Sequence, residues 1–196
     1  MPERGPVGFG RRDAPVEPAG TTATAPFPVG AVKLDDDIIA ALVPERPARG
    51  HKGSFGKLLV IAGSLDYAGA ALLVCRAAGR TGVGLVTLAV PESLQPLFAA
   101  KVIEATTMAL PEDDVEEIDP EPSIARILDH DHDAFVIGPG LRPGLATAEL
   151  VRQLLAAPED GSAPIVLDAE ALRSLATMDF ATLSVALQAV RRMAEG

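Results

Sequence analysis

The chain has no tryptophan, one tyrosine, one cysteine and six phenylalanines. So few aromatic platforms, with 17 basic residues against 27 acidic ones and a formal charge of −10, exclude an ordinary nucleic-acid surface. Cys75 has no partner within the chain, so no internal disulfide forms, and its apolar helical surroundings read as those of a small buried hydrophobe. No apolar run reaches membrane-spanning length, and no charged start leads into an apolar signal segment. A cytoplasmic location with no membrane partner is the resulting expectation. What is plentiful is small and apolar: 48% of the 196 residues are hydrophobic, enough for one domain with a buried core.

Residues 1–32 are rich in Pro, Gly, Ala and Thr without apolar periodicity, and read as a disordered leader or linker. Asp35, Asp36 and Asp37 suit the cap of a short helix carrying Ile38, Ile39 and Leu42, which Pro44 and Pro47 end. From Lys57, strand and helix signals alternate. Strands are expected at 57–62, 85–90, 105–110, 134–137 and 165–167. Helices are expected at 68–80, 92–102, 123–128 and 147–156, with helix formers continuing from Asp168 to the C-terminus. The acidic stretch 112–122 reads as a surface loop. Such alternation predicts an α/β fold, a mainly parallel sheet with helices on both faces. Ligands of such sheets sit at the carboxyl ends of strands, where Gly63, Gly138, Gly140 and Asp168 fall.

Four motifs carry the functional reading. His51-Lys52-Gly53-Ser54-Phe55-Gly56 is a basic, glycine-rich turn leading into the first strand. Ala62-Gly63-Ser64 leaves that strand, and Tyr67-Ala68-Gly69-Ala70 opens a helix whose free N–H groups favour an anion. Lys52, Gly53, Ser54, Gly63, Ser64 and Gly138 are therefore candidate nucleotide or phosphate contacts, although the glycine spacings fit neither a Walker loop nor a dinucleotide fingerprint. A plain tight turn and a solvated basic pair stay open beside that reading. In Gly138-Pro139-Gly140-Leu141-Arg142-Pro143-Gly144 the proline fixes a bend and Gly140 permits close approach to a ligand. Asp168 follows an apolar strand directly and is either a ligand contact or a helix cap. Asp129-His130-Asp131-His132-Asp133 has metal-like composition but precedes a strand, so it reads as a solvated loop, and no metal site is assigned.

Taken in order, these strings resemble the ADP- or ATP-dependent NAD(P)H-hydrate dehydratases, the carbohydrate-kinase-like or YjeF C-terminal domain. Arg80-Thr81-Gly82-Val83-Gly84-Leu85-Val86-Thr87, Ile137-Gly138-Pro139-Gly140-Leu141 and Val166-Leu167-Asp168-Ala169-Glu170-Ala171-Leu172 extend the match. The resemblance implies a ribokinase-like fold and repair of damaged cofactors: hydrated NADH or NADPH loses water in a step coupled to hydrolysis of ADP or ATP with magnesium. Phosphorylation of the ring hydroxyl is the chemical rationale, since it creates a good leaving group. The resemblance also implies that Ala70 and Gly140 line the hydrate pocket, with Asp168 near the same cleft.

The resemblance covers roughly residues 33–177, and the string Gly-Thr-Gly-Asp, which supplies the family's catalytic base and part of its anion hole, is absent. No catalytic residue is therefore assigned. The expectation is a domain truncated at its C-terminal side and inactive alone, with 178–196 a non-family helical tail whose apolar stripe packs on the core or self-associates. Either a homo-oligomer or a complementing fragment fits that picture. Two alternatives are a small-molecule kinase of the same fold, and a non-catalytic fragment.

Overall fold

The computed structural model describes residues 34–43, 46, 49–157 and 163–178. The chain divides into Met1–Arg46 and Pro47–Gly196. In the first unit, α1 (Asp36–Leu42) is capped as expected, the Asp35 carboxylate accepting from the Ile38 N–H at 3.0 Å. The expected leader 1–32 and the tail stripe from Phe180 to Ala194 lie outside the described residues.

The second unit is built on a five-stranded, all-parallel sheet, with β1 (Lys57–Ile61), β2 (Leu85–Pro91), β3 (Thr106–Leu110), β6 (Ala134–Ile137) and β7 (Ile165–Leu167) in the order β3-β2-β1-β6-β7. A short antiparallel pair, β4 (Glu112–Asp114) and β5 (Glu117–Ile118), follows β3. The central strands are apolar apart from Lys57 and Thr87 near their amino ends, because both faces are covered. Leu59 and Ile61 point into one core cluster with Phe135, Ile137 and Leu150, while Val60 points into the other with Cys75, Leu88 and Phe98. The first layer is made by α4 (Pro120–Asp129), α5 (Leu145–Ala156) and α6 (Glu170–Thr177), the second by α2 (Ala68–Thr81) and α3 (Gln95–Ala99).

Strand positions follow the expectation closely, and three other elements depart from it. The helix expected over 92–102 is a 3₁₀ turn, Glu92–Leu94, followed by the short α3, which carries Pro96 in its first turn. The region expected as a loop over 112–122 contains the β4–β5 hairpin. Its pattern is invisible because it is short, acidic and held by one side chain: Glu112 accepts from the Ser93 N–H and Oγ–H and from the Glu116 N–H, at 3.0, 2.7 and 2.8 Å. The helix expected from Ser123 begins three residues earlier, with Pro120 in the first turn, where its missing N–H costs nothing.

Strand order positions the cleft. Connections from β1 run outward through β2 to β3, then return across the sheet to β6 and on to β7. The direction reverses between β1 and β6, which opens a crevice at their carboxyl ends. Cys75, on the sheet-facing side of α2, is 6% exposed, and burial pushes its thiol up to about 11. Its alkylation at pH 8 is expected to run roughly a hundredfold slower than that of an exposed thiol, from its smaller thiolate fraction. Mass spectrometry of the single adduct follows this directly, and labelling at the free-thiol rate would show that α2 does not bury the sulfur.

Candidate functional site

At the carboxyl end of β1 the chain turns at Gly63, and at the end of β6 it turns at Gly138-Pro139-Gly140. Backbone bonds lock the two turns together: the Gly63 N–H donates to the Pro139 carbonyl at 2.9 Å, and the Gly138 N–H donates to the Ile61 carbonyl at 3.1 Å. Both N–H groups are thus occupied, so neither glycine has a donor left for a phosphate. Gly63, Ser64 and Gly138 are also buried. A side chain on Gly63 would meet the Phe98 ring at 2.7 Å, and one on Gly138 would meet the Asp168 carbonyl at 1.9 Å. Their small size serves close contact between strand ends. The Ser64 hydroxyl accepts from the Tyr67 N–H at 3.3 Å and so shapes the entry to α2.

Gly140 is half-buried with φ +67°, and a Cβ there would lie 2.6 Å from the Tyr67 carbonyl and 2.9 Å from the Ala70 methyl. The close approach that requires glycine at 140 is therefore to the first turn of α2. This places Ala70 and Gly140 side by side at the mouth of the crevice. It also makes Gly140→Val a folding variant, unfit as a test of ligand contact.

Asp168 stands at the end of β7, next to the same crevice. Its backbone N–H donates to the Ile137 carbonyl at 3.1 Å, which fixes β7 to β6. Its side chain is exposed and makes no hydrogen bond or ion pair among the described residues. The cap alternative is not met: Ala169 occupies the N-cap of α6, and no side chain caps that helix. Ala169 itself has φ +44° and ψ −106°, a conformation that strains an L-residue. Ala169→Gly is expected to raise stability by about 1 kcal/mol, the relief of strain exceeding the entropic cost of glycine. A urea midpoint that falls instead would show the turn to be relaxed.

Sequence reading missed the neighbouring Glu170, which is 8% exposed and faces the Arg173 guanidinium at 3.3 Å. Nothing in the pattern separates it from a solvated helix residue.

The basic turn lies elsewhere. His51 to Gly56 precedes β1, and Gly84 precedes β2, so these segments meet at the amino edge of the sheet. The Gly84 N–H donates to the carbonyls of Phe55 and Gly56 at 3.0 and 3.1 Å, and a side chain on Gly84 would strike the Lys52 carbonyl at 1.7 Å. The His51 ring caps the turn by accepting from the Gly53 N–H at 3.1 Å, and the Ser54 hydroxyl accepts from the His51 N–H at 3.4 Å. Lys52, Gly53 and Ser54 therefore stand one strand length, about 16 Å, from Gly63 and Gly140.

The Asp129–Asp133 run is at that amino edge too. Asp133 accepts from the Lys57 N–H at 2.8 Å and Asp131 pairs with the Lys57 ammonium, while His130 reaches the Thr87 hydroxyl at 3.2 Å. The Lys57 ammonium hydrogen-bonded to Asp131 holds that carboxyl below the usual carboxylate range. Its members anchor a loop, and no metal-binding cluster occurs among the described residues.

A five-stranded parallel sheet with a crevice between β1 and β6, closed by glycine turns, defines an α/β fold of the ribokinase-like kind. A ribokinase-like superfamily protein from Enterococcus faecalis superposes with a TM-score of 0.59 at 22% identity, covering 72% of this chain and 46% of that one, a likeness of fold. The family model described as NAD(P)H-hydrate dehydratase matches residues 58–187, and the chain belongs to that family.

It is 41% identical over 138 residues to the bifunctional NAD(P)H-hydrate repair enzyme Nnr of Moorella thermoacetica, across 69% of this chain and 25% of that protein. To the ADP-dependent (S)-NAD(P)H-hydrate dehydratase of Bacillus subtilis it is 34% identical over 137 residues, 70% of this chain and 45% of that protein. The crystal structure of the Bacillus subtilis ADP/ATP-dependent NAD(P)H-hydrate dehydratase co-crystallized with ATP/Mg²⁺ matches with a TM-score of 0.54 at 32% identity, over 69% of this chain and 45% of that one. The chain therefore spans between a quarter and a half of the length of these relatives.

Proposed function

We propose that the crevice between β1 and β6 receives the hydrated nicotinamide ring of NADH or NADPH, in a dehydration driven by ADP or ATP with magnesium. The observation that carries this reading is the packing of Ala70 against Gly140 at the end of β6, with Asp168, whose side chain has no partner among the described residues, at the end of the adjacent β7, in a chain of the dehydratase family. Gly140 packs against Tyr67 and Ala70, so the β6 turn and the first turn of α2 close into one wall against which a flat ring would lie. Asp168 offers an acceptor to a sugar or ring hydroxyl, and its exposed carboxylate would serve as one oxygen ligand to a divalent cation. Magnesium, when bound, would supply charge neutralisation at the transferred phosphoryl group. This chain's own residues shape the pocket and orient the hydroxyl.

The test is calorimetric titration with NADPH. Ala70→Trp is expected to weaken binding at least about tenfold by filling the ring space, and Asp168→Asn by a smaller factor. Lys52→Ala, at the far edge, is expected to change little. Affinity that ignores both Ala70→Trp and Asp168→Asn would move the pocket elsewhere.

A further inference from the structure

A second cleft, of about 440 Å³, opens on the α2 face at the amino edge of the sheet. One wall is α2, where Leu72, Arg76 and Arg80 recur at helical spacing. The other wall is the segment from Lys101 to Ala105, between α3 and β3. That segment is tied down at its start, where the Lys101 and Val102 N–H groups donate to the Phe98 carbonyl at 2.8 and 2.9 Å. Val102 and Ala105 return to the core, while Ile103 stands out 96% exposed at the rim.

The charge of this cleft runs against that of the chain. Arg76, Arg80 and Lys101 face a single carboxylate, Glu104, in a protein of net charge −10. None of the three cations has an ion pair or a side-chain hydrogen bond among the described residues. Attraction to the negative end of α2 accounts for Arg80, in its last turn, and not for Arg76, which is more than a turn from that end. Lys101 is on the opposite wall and has no such reason to be there. A concave apolar floor with cations converging from two elements is the form of a small-molecule site, and its volume is in the usual range.

We infer that this cleft binds an organic phosphate, its apolar body between Leu72 and Ile103 and its phosphate among Arg76, Arg80 and Lys101. The assignment is independent of the proposed substrate crevice, which lies beyond the opposite ends of the strands. α2 joins the two, with Ala70 in its first turn at one and Arg80 in its last turn at the other.

The probe is 1-naphthyl phosphate added to the isotopically labelled full chain, with amide shifts followed by NMR. Shifts are expected to cluster at residues 72–80 and 101–105. Binding is expected to weaken about tenfold or more in the Arg76→Glu/Arg80→Glu double variant, and also in Lys101→Glu on the other wall. Inorganic phosphate, which lacks the apolar part, is expected to bind about tenfold more weakly. Shifts centred on residues 63–70 or 138–140, no saturable shifts, or affinity indifferent to charge reversal would each overturn the assignment. Equal affinity for inorganic phosphate would overturn its organic part.

Discussion

Gly138→Ala is expected to destabilise the domain by about 3 kcal/mol or more, against a typical total of roughly 5–15 kcal/mol. Gly138 has φ +118°, which alone strains any residue with a side chain. A methyl group there would also sit 1.9 Å from the Asp168 carbonyl oxygen and 2.8 Å from the Ala171 nitrogen. Both are backbone atoms and cannot swing aside. Relief requires opening the turn, which breaks the Gly138–Ile61 or the Asp168–Ile137 hydrogen bond. The control is Gly69→Ala in the first turn of α2, where an added Cβ meets nothing within 4 Å. That variant is expected to gain about 0.5–1 kcal/mol from helix propensity. Urea unfolding of both decides the matter: similar midpoints would mean that the ends of β6 and β7 are not packed as described.

The second large effect concerns turnover. The 196-residue chain is expected to recover NADH from its hydrate, with ADP or ATP and magnesium, at a rate roughly a hundredfold or more below that of a dehydratase carrying the full family pattern. The resemblance puts the catalytic base on a Gly-Thr-Gly-Asp string that these residues do not contain. General-base assistance is worth about 10²–10⁴ in rate, and the anion hole contributes separately. Asp168 is an exposed acid at the end of β7 without a side-chain partner among the described residues, so it is the natural substitute if one exists. The assay is the rise in NADH absorbance. A rate in the ordinary enzymatic range, abolished by Asp168→Asn, would refute the expectation and assign the base to Asp168.

Strand positions are legible because the buried parallel strands Leu58–Ile61 and Leu85–Val90 are apolar runs, broken only by Thr87, and such runs have few other uses. The glycines at strand ends were legible as places where something comes close, but their partner was not. Gly63, Gly138 and Gly140 read equally well as making room for a phosphate or for another stretch of backbone. Only the third dimension shows Phe98, Asp168 and Tyr67 filling those spaces. The basic turn at Lys52–Ser54 reads together with the glycines because it is adjacent in sequence to the same strand. A strand separates its two ends, so residues a few places apart in the chain fall on opposite edges of the sheet. The β4–β5 hairpin stayed hidden because Glu112, a residue ordinarily spent on solvent, makes three hydrogen bonds there.

The bond from Gly63 to Pro139 joins turns separated by 76 positions along the chain. In contrast, β1, α2 and β2 form within a stretch of neighbouring sequence. Loop-closure entropy must be met before such a distant contact repays it, so pairing of β6 against β1 belongs late in folding. The crevice has no early precursor: a partly folded chain can hold α2 and the first three strands and still present half of the pocket. A ligand that touches both turns therefore binds only the finished domain, and its binding energy is drawn upon by the whole fold at once.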